Sequence, residues 1–511
     1  MGSSAAAGNV ADLVRATAEA DPGHPALVAA TSGRQLDWGG LDAAVDAAAG
    51  AFAAAGAAAG DRIVVRLPGN ISYCIAVFGV LRAGCVLVPL ARRAAPRELA
   101  ETLASSGAKV LVAETSDEVA AGAAEAASVV VLPPPETADW PVPPVTPTTG
   151  GEDLAVLAFT SGTSGTARGV MLSHRALLAN VAQCAQLRPA PVTAADRVLL
   201  ALPLFHVYGL GPGLLQIACA GATAVLAGRF DAADSLTMIA KHRVTTVVGV
   251  PPMYRAWLKL GAGALRDGFR TVRLLTSGAA PLEASLVAAF RDATGLGIFE
   301  GYGLTETGPV LTSTLVGGVP KPGSVGRPIP GVQLRLVHAD GTPLDADGAG
   351  DDDDEDNDTG LVCARGDNLL TGYWPTGEGG PDADGWFRTG DVGFFDADGD
   401  LRLVDRSSDL IIVNGFNVYP HEVERALLEH PAIAQAAVVG MPDEDTGETV
   451  RAVLVLVPGA DLAPADLDAH LAHRLARYKM PTAVEVVDEL PVTATGKLAR
   501  RTLRTLRGHP L

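Results

Sequence analysis

A ten-residue segment rich in hydroxyls and glycines, Thr160–Gly169, has the composition of a phosphate-binding loop. It follows an apolar run at Leu154–Phe159, which predicts a buried strand that ends where the loop begins. Its three glycines let the backbone approach phosphate oxygens closely, and its five hydroxyls can donate hydrogen bonds to them. Arg168 adds a fixed positive charge. The GxxxxGK[ST] spacing of a Walker A loop is absent from the segment, and taken alone it could equally be a flexible loop.

Four further motifs follow this loop in the chain. They are Leu202–Gly209 (LPLFHVYG), Gly301–Gly308 (GYGLTETG), Gly385–Asp391 (GWFRTGD) and Pro491–Lys497 (PVTATGK). With the five motifs in this order, the sequence resembles the adenylate-forming superfamily, which includes acyl-CoA synthetases, adenylation domains of peptide synthetases, and luciferases. The resemblance extends over nearly the whole chain, from Val10 to Arg504.

The resemblance implies an ATP- and Mg²⁺-dependent ligase that joins a carboxylic acid to AMP, releases pyrophosphate and transfers the acyl group to coenzyme A. The catalytic residues that it implies are Lys497, Glu306, Thr305 and His206. Lys497 matches a lysine that reaches the carboxylate and the α-phosphate, where its ammonium would stabilise the charge of the transition state. Glu306 matches the glutamate that holds Mg²⁺ on ATP, and Thr305 matches a hydroxyl near the α-phosphate.

The same resemblance implies the residues that bind the nucleotide and coenzyme A. They are Thr160, Ser161, Gly162, Thr163, Ser164, Gly165, Thr166, Arg168, Gly278, Ala279, Ala280, Glu300, Gly301, Tyr302, Gly303, Asp391, Arg406 and Gly415. Asp391 and Arg406 would contact the ribose, and Gly415 would lie beside the pantetheine tunnel. Tyr302 could stack on adenine, although ordinary core packing is the alternative for this side chain.

Several positions depart from the pattern of the family. In the phosphate loop, Ser164 stands where Thr is usual, Ala167 replaces a Pro and Arg168 replaces a Lys. Because a hydroxyl and a positive charge are retained, phosphate binding is still expected. The family resemblance places the hinge of a mobile C-terminal domain at Ser408, where most relatives carry Asp or Lys. Rotation about it would bring Asn414–Asn417 to the site for the second half-reaction.

The acyl pocket is expected to be apolar. The segment Phe205–Gly209 offers no carboxylate to pair with the ammonium of an amino acid, so an acid without an amino group is favoured. His206 within it is a candidate site residue, and a hydrogen-bonded core histidine is the alternative. The candidate pocket residues are Tyr208, Val250, Met253, Gly278 and Val310. They suit an aliphatic or aryl tail, and the chain especially resembles medium-chain or long-chain fatty acyl-CoA synthetases and coumarate–CoA ligases.

Three alternatives stay open. The protein could be an aryl or other carboxylate–CoA ligase, or an acyl-AMP ligase that loads a carrier protein. It could also be a catalytically weak binding protein that keeps the fold, although Glu306, Asp391 and Lys497 argue against this. CoA-dependent formation of AMP separates the first two possibilities.

Apolar runs that alternate with helical patterns predict an α/β fold with parallel sheets covered by helices. Predicted strands lie at Leu154–Phe159, Val198–Leu202, Thr223–Leu226, Thr245–Val250 and Val272–Thr276, and a helix at Ser173–Leu187. Shorter segments and turn signals predict a β-rich subdomain between Gly323 and Asp405. A small α+β domain follows, so that residues 1–405 and 406–511 form two domains. In the second we predict helices at His421–Glu429 and Pro464–Ala476, and strands at Ala434–Val439, Val450–Val457 and Val484–Val487.

Composition narrows the possible partners. With 58 acidic and 39 basic side chains among 511 residues, the net charge is −19, which disfavours nucleic acid. Five scattered cysteines without a CxxC pair indicate free thiols in the cytoplasm. The N-terminus lacks the pattern of a signal peptide. Between Arg197 and Arg229 no residue carries a formal charge, but prolines and glycines divide this run, so buried strands and helices are predicted instead of a membrane span.

The run Asp351–Asp358 contains seven acids in eight positions. Mutual repulsion predicts a solvated loop. A calcium site is the alternative, but the run lacks the glycine and the distal glutamate of a calcium-binding loop.

Overall fold

The structure is a computed structural model of the chain. It describes residues 8–135, 145–161, 167–280, 282–338, 340–344, 360–406, 411–414, 416–418, 420–491, 500–506 and 508–511. The acidic run 351–358, for which a solvated loop was predicted, lies outside the described residues.

The α-helices in the described part of the chain are numbered in chain order. They are α1 (Asp12–Ala20), α2 (Trp38–Ala54), α3 (Ile71–Arg82), α4 (Pro96–Ser106), α5 (Glu118–Ala127), α6 (His174–Ala185), α7 (Gln216–Ala220), α8 (Ala232–Lys241), α9 (Pro251–Leu258), α10 (Ala262–Gly268), α11 (Ala284–Thr294), α12 (Pro420–Leu428), α13 (Pro464–Ala472) and α14 (Arg500–Leu503).

The strands are numbered in the same way. They are β1 (Pro25–Ala29), β2 (Gln35–Asp37), β3 (Arg62–Arg66), β4 (Val86–Pro89), β5 (Val110–Ala113), β6 (Val130–Leu132), β7 (Leu154–Ser161), β8 (Ala167–Ser173), β9 (Arg197–Leu200), β10 (Thr223–Leu226), β11 (Thr246–Gly249), β12 (Leu274–Ser277), β13 (Ile298–Tyr302), β14 (Thr312–Ser313), β15 (Arg327–Pro328), β16 (Gln333–Val337), β17 (Gly360–Arg365), β18 (Gly372–Trp374), β19 (Phe387–Phe395), β20 (Leu401–Arg406), β21 (Ile411–Val413), β22 (Phe416–Val418), β23 (Ile433–Asp443), β24 (Gly447–Leu456), β25 (Ala483–Val486) and β26 (His509–Pro510).

Two large sheets confirm the predicted α/β class. One has the order β15-β14-β13-β12-β11-β9-β10-β1-β2, and the other has the order β18-β8-β7-β4-β3-β5-β6. Their central strands are parallel, whereas antiparallel pairs lie at both ends of the first sheet and at the β18 end of the second. The largest apolar cluster contains side chains of both sheets, among them Val65, Leu87, Val198 and Leu274. Because helices cover these sheets, their strands are buried on both faces and appear in the sequence as continuous apolar runs.

The predicted elements around the site match the observed ones, with small shifts at their ends. Helix α6 begins one residue after the predicted start because Ser173 is its N-cap, with its hydroxyl accepting a hydrogen bond from the Ala176 N–H. Strand β7 extends two residues beyond Phe159 and forms a hairpin with β8. This hairpin positions the ends of the predicted phosphate loop.

The β-rich subdomain and the small C-terminal unit are also present. Strands β16, β17, β19 and β20 form an antiparallel sheet, and β21–β26 form a separate six-stranded sheet. We call residues 411–511 the C-terminal unit. The predicted boundary at 405/406 falls inside β20, and sheet membership changes between Arg406 and Ile411. Helix α13 ends four residues before the predicted end, while the other predicted elements of this unit shift by at most four residues at either end.

The uncharged run between Arg197 and Arg229 forms separate short elements. It contains β9, a π-helical turn at Gly209–Leu215, α7 and β10. Among the described residues no helix is long and apolar enough to cross a membrane. The five cysteines are free thiols, as predicted, and four of them are buried.

Candidate active site

The candidate site is built where parallel strands of the nine-stranded sheet end. Gly249, Ser277 and Glu300 are direct neighbours across β11, β12 and β13. The segments that follow them carry the predicted acyl-pocket and adenine-binding residues. Because the carboxyl ends of parallel strands meet at one edge of a sheet, residues far apart in sequence become adjacent there.

The predicted phosphate loop comes between β7 and β8 in the chain, and these two strands pair as a hairpin. Thr160 pairs with Arg168 and Ser161 pairs with Ala167, so the loop leaves and re-enters the sheet at neighbouring positions. The loop residues Gly162, Thr163, Ser164, Gly165 and Thr166 lie outside the described residues. The guanidinium carbon of exposed Arg168 lies 3.7 Å from the centroid of the Tyr373 ring. This contact fits a cation–π interaction and holds the positive charge beside the loop.

Tyr373 also connects Arg168 to the predicted magnesium ligand. Its hydroxyl donates a 2.9 Å hydrogen bond to Oε1 of Glu306. Glu306 lies in a single 3₁₀ turn, Thr305–Thr307, so its carboxylate is presented from a short rigid segment. Tyr373 therefore contacts both a guanidinium and a carboxylate. The guanidinium suits the phosphates of a triphosphate, and the carboxylate suits its metal ion. Tyr373 was not predicted from the sequence, where its one signal is the aromatic pair that it forms with Trp374.

Asp391, the predicted ribose ligand, is fixed by a second tyrosine. The hydroxyl of Tyr302 donates a 2.6 Å hydrogen bond to Oδ2 of Asp391, whose side chain is buried. Tyr302 is itself part of the main apolar cluster, so its core packing and its polar contact occur together. The β19–β20 register puts Arg406 opposite Asp391. The two predicted ribose ligands thus lie opposite each other on adjacent strands.

Glu300 is an acid with an unusual environment. Only 6% of the residue is exposed, and Oε1 accepts a hydrogen bond from the Leu282 N–H at 3.2 Å. Burial raises the pKa of Glu300 to about 8, and the Leu282 N–H offsets this only in part. The carboxyl group is therefore mainly protonated at pH 7, and it can donate as well as accept a hydrogen bond.

The acyl-pocket candidates belong to, or pack against, the two apolar clusters that Tyr208 borders. A Cβ atom at Gly278 would lie 3.0 Å from the Tyr208 ring, so the ring packs directly on this glycine. Val250 and Met253 are buried in the apolar cluster that Tyr208 borders on one side. Val310 packs against the main cluster, which Tyr208 borders on the other side. The prediction of mostly apolar surroundings agrees with these contacts.

His206 lies between the acyl-pocket candidates and the C-terminal unit. Burial lowers the pKa of His206 to about 4, so the imidazole is neutral at pH 7. Its Nδ1 faces the Tyr208 N–H at 3.2 Å. The ring meets Phe416 edge-on, with 6.0 Å between centroids.

Phe416 is the residue through which the C-terminal unit contacts Phe205 and His206. Its ring stacks on Phe205 at 6.1 Å and lies 4.6 Å from Tyr478 of its own unit. Phe416 therefore borders the site, while the role predicted for the 414–417 segment in the second half-reaction stays a prediction. Gly415, Ser408 and Lys497 lie outside the described residues, so their predicted roles stay predictions.

Two cavities lie between the C-terminal unit and the rest of the molecule. One of about 300 Å³ is bordered by Thr160, His206, Thr305, Phe416 and Lys479. It unites three residues that the sequence assigned to catalysis or phosphate binding. The other, of about 1000 Å³, has four arginines in its wall. They are Arg66, Arg92, Arg93 and Arg477, and Pro481 is part of the same wall.

Ion pairs between the units were not predicted. Arg97 of α4 contacts Glu429, and Lys259 contacts Asp445. The buried ammonium of Lys479 lies 2.8 Å from Glu422 in its own unit and 3.9 Å from Glu98 of α4. No sequence signal identifies the partners across the two units, because each pair that joins the units links residues more than 150 positions apart.

Known proteins share this architecture. The family model described as "AMP-binding enzyme" matches residues 14–374, and that described as "AMP-binding enzyme C-terminal domain" matches residues 422–497. A long-chain-fatty-acid–CoA ligase of Yersinia pestis is 33% identical over 489 residues, covering 87% of this chain and 85% of its own. A feruloyl-CoA synthase of an Amycolatopsis species is 36% identical over 450 residues, covering 87% of this chain and 88% of its own.

A solved structure extends the comparison to the fold. The amide bond synthetase McbA from Marinactinospora thermotolerans superposes with a TM-score of 0.86 at 32% identity. The superposition covers 98% of this chain and 99% of that protein.

Proposed function

The chain belongs to the AMP-binding enzyme family of adenylate-forming enzymes, and from that premise we propose that it is an ATP- and Mg²⁺-dependent acyl-CoA synthetase. Its substrate would be a hydrophobic carboxylic acid, most simply a medium-chain or long-chain fatty acid. The observation that carries the proposal is the cluster in which Tyr373 joins Arg168 to Glu306. This cluster lies beside the start of β8. A nucleoside triphosphate bound there would need both a cation and a metal-binding carboxylate.

In the first half-reaction, a carboxylate oxygen of the acid attacks the α-phosphorus of ATP. A carbon–oxygen–phosphorus link forms, and the bond to the departing pyrophosphate breaks. Arg168 and the loop hydroxyls would stabilise the negative charge on the phosphates. Glu306 would hold Mg²⁺, which supplies charge neutralisation on the triphosphate when it is bound. Lys497 would contact the carboxylate and the α-phosphate.

The nucleoside would be held by groups that the protein orients in advance. Tyr302 fixes the Asp391 carboxylate by a 2.6 Å hydrogen bond, which would orient it for contact with the ribose. The protonated Glu300 can donate to the adenine ring or accept from its amino group. Because these contacts form within the protein, little reorganisation is needed when ATP binds.

In the second half-reaction, the thiol sulfur of coenzyme A attacks the acyl carbonyl, the thiol loses its proton, and AMP leaves. The 300 Å³ cavity beside His206 and Phe416 gives a thiol a route to this carbonyl. The arginines of the 1000 Å³ cavity suit the anionic nucleotide end of coenzyme A. Arg93 and Arg477 are exposed there and form no ion pair with another residue that the structure describes.

Two finer choices follow from the same site. The apolar pocket beside Tyr208 would also accept an aryl acid, as the name of the feruloyl-CoA synthase suggests for that relative. The acceptor could instead be a carrier protein that brings its own pantetheine thiol. Five free thiols are consistent with a cytoplasmic location for this chemistry.

A panel of acids tests the proposal. Purified protein is incubated with ATP, Mg²⁺ and fatty, aryl or amino acids, and pyrophosphate and AMP are measured with and without CoA. We expect pyrophosphate release with hydrophobic acids and an acyl-CoA product that requires CoA. Absence of carboxylate-dependent pyrophosphate release with every acid would overturn the proposal. Acyl transfer to a carrier protein or to an amine, with none to CoA, would retain the adenylation and replace the acceptor.

A further inference from the structure

The turn 307–310 links two parts of the candidate site, because Glu306 precedes it and Val310 ends it. Thr307 is fully buried, and its hydroxyl hydrogen-bonds the carbonyl oxygens of Leu304 and Pro309 at 3.0 and 2.8 Å. The position of this turn therefore sets the distance between the metal-binding carboxylate and one wall of the acyl pocket. None of the motifs discussed above includes the side chains that hold it from outside.

Asn180 grips the end of the turn at two points. This residue of α6 is 2% exposed. Its Nδ2 donates to the Val310 carbonyl at 2.7 Å, and its Oδ1 accepts from the Val310 N–H at 3.1 Å. One side-chain amide thus satisfies both polar groups of a single residue, as a neighbouring strand would.

Asn368 holds the same turn from the other side. It is completely buried, and its Nδ2 donates to the Thr307 carbonyl at 2.7 Å and to the Val310 carbonyl at 3.3 Å. Gly308 lies between Thr307 and Val310 in the turn, and a Cβ at this glycine would lie only 2.6 Å from the Asn368 carbonyl oxygen. The backbone of Asn368 is therefore packed against the turn that its side chain binds.

Gln183 joins the two asparagines at longer range. Its Oε1 lies 3.5 Å from the Asn180 Nδ2, and its Nε2 lies 3.5 Å from the Asn368 Oδ1. Its side chain makes no hydrogen bond to the turn in the part of the chain that the structure describes. Gln183 therefore offers a matched buried amide that lacks the direct contacts.

We propose that Asn180 and Asn368 are positioning residues that set acid selectivity and metal use together by fixing the turn 307–310. The inference rests on the proposed acyl-CoA synthetase function. According to this inference, Asn180 and Asn368, which lie outside the five motifs, determine the positions of Val310 and Glu306. Asn180 acts mainly on the acyl side, because both of its direct contacts are to Val310. Asn368 acts on both sides, because it also binds the Thr307 carbonyl next to Glu306.

The test compares Asn180→Asp, Asn368→Asp and the control Gln183→Met across a series of acids of increasing length. Each Asp variant keeps the shape of the side chain but replaces an amide donor with an acceptor that faces a buried carbonyl. For Asn180→Asp we expect kcat/KM to fall about tenfold for the best acid, with a changed ratio between short and long acids. For Asn368→Asp we also expect a several-fold higher Mg²⁺ concentration at half-maximal rate. Gln183→Met should stay within about threefold of the original protein in all three measures.

Circular dichroism and thermal unfolding first give the fraction of each variant that is folded, and rates are expressed per folded protein. If Asn368→Asp does not fold, Asn180→Asp and Asn180→Ser carry the test through the acid ratio. An unchanged acid ratio in both Asn180 variants would overturn the inference, as would an equal change in Gln183→Met. If none of the acids makes the original protein release pyrophosphate, the proposed function fails instead. This result is distinct from an unchanged acid ratio, so the two failures can be told apart.

Discussion

The two sides of the candidate site are held in different ways. On the nucleotide side, carboxylates are fixed by buried or half-buried tyrosines over short hydrogen bonds, at 2.6 Å for Tyr302–Asp391 and 2.9 Å for Tyr373–Glu306. On the side of the C-terminal unit, the contacts are aromatic stacking and ion pairs that include exposed partners. In the Lys259–Asp445 pair, 60% and 69% of the two side chains are exposed.

We expect the carboxylates on the nucleotide side to need fixed positions, and the contacts of the C-terminal unit to break and re-form between the two proposed half-reactions. A preorganised carboxylate lowers the cost of binding ATP and its metal ion. Exposed ion pairs contribute only about 0–1 kcal/mol each, so a surface that depends on them can open without great cost. The contrast fits the proposal that the C-terminal unit presents Phe416 in one half-reaction and Lys497 in the other.

The largest test of the contrast removes the lysine that would act only when the C-terminal unit is in its other position. For Lys497→Ala we expect adenylation to fall about a hundredfold or more, because no ammonium then stabilises the charge on the α-phosphate. Thioester formation from a supplied acyl-adenylate should be largely unchanged. Rapid-quench measurements of the two half-reactions provide the comparison, and equal losses in both would refute the role of Lys497.

A smaller effect is expected on the nucleotide side. Tyr373→Phe removes the hydrogen bond to Glu306 while keeping the ring beneath Arg168. Because partners of metal ligands typically contribute 10- to 100-fold in metal affinity, we expect about a tenfold higher Mg²⁺ requirement for pyrophosphate release. Tyr302→Phe is the matched control, since it removes a hydrogen bond to Asp391 instead and should raise the KM for ATP without changing the Mg²⁺ requirement. The opposite assignment of the two effects would contradict our reading of the two tyrosines.

The sequence predicted the nucleotide side far better than the other. Residues such as Glu306 and Asp391 lie in compact motifs, and the alternation of strands and helices accounts for the edge where they meet. Tyr373 escaped detection because it reaches Glu306 through the antiparallel pairing of β18 with β8, which local sequence does not encode. The contacts of Arg97 and Glu98 with the C-terminal unit depend on how two separately folded parts dock, and no periodicity or spacing carries that information.

The interface itself can be tested with Glu98→Gln. This change removes the charge that lies 3.9 Å from the buried ammonium of Lys479, while Glu422 still pairs with it. Of the two arrangements proposed for the C-terminal unit, only the one in the structure would use this contact, so we expect CoA transfer to slow about fivefold and adenylation to change less than twofold. Lys259→Ala, at an exposed pair, should alter either half-reaction by less than about twofold. A loss in adenylation equal to that in transfer would show that Glu98 does not select between arrangements.

The last prediction concerns stability instead of rate, through the pH dependence of a buried acid on the nucleotide side. Burial raises the pKa of Glu300 from its ordinary 4.5 to about 8 in the folded protein. Between these values the folded protein binds a proton that the unfolded chain has released. The stability that this proton supplies is complete below pH 4.5 and is lost as the pH rises toward 8. The free energy of unfolding should therefore fall by up to ~1.4 kcal/mol per pH unit on account of this group.

Glu300→Gln isolates this contribution, because an amide can still accept the Leu282 N–H hydrogen bond but does not titrate. Urea unfolding of both proteins at pH 5, 6, 7 and 8 gives the difference in their free energies of unfolding, in which other titrating groups largely cancel. We expect the variant to gain stability relative to the original protein as the pH rises. A difference that stays constant over this range would mean that Glu300 is already ionised in the folded protein, so that its carboxylate could accept but not donate hydrogen bonds.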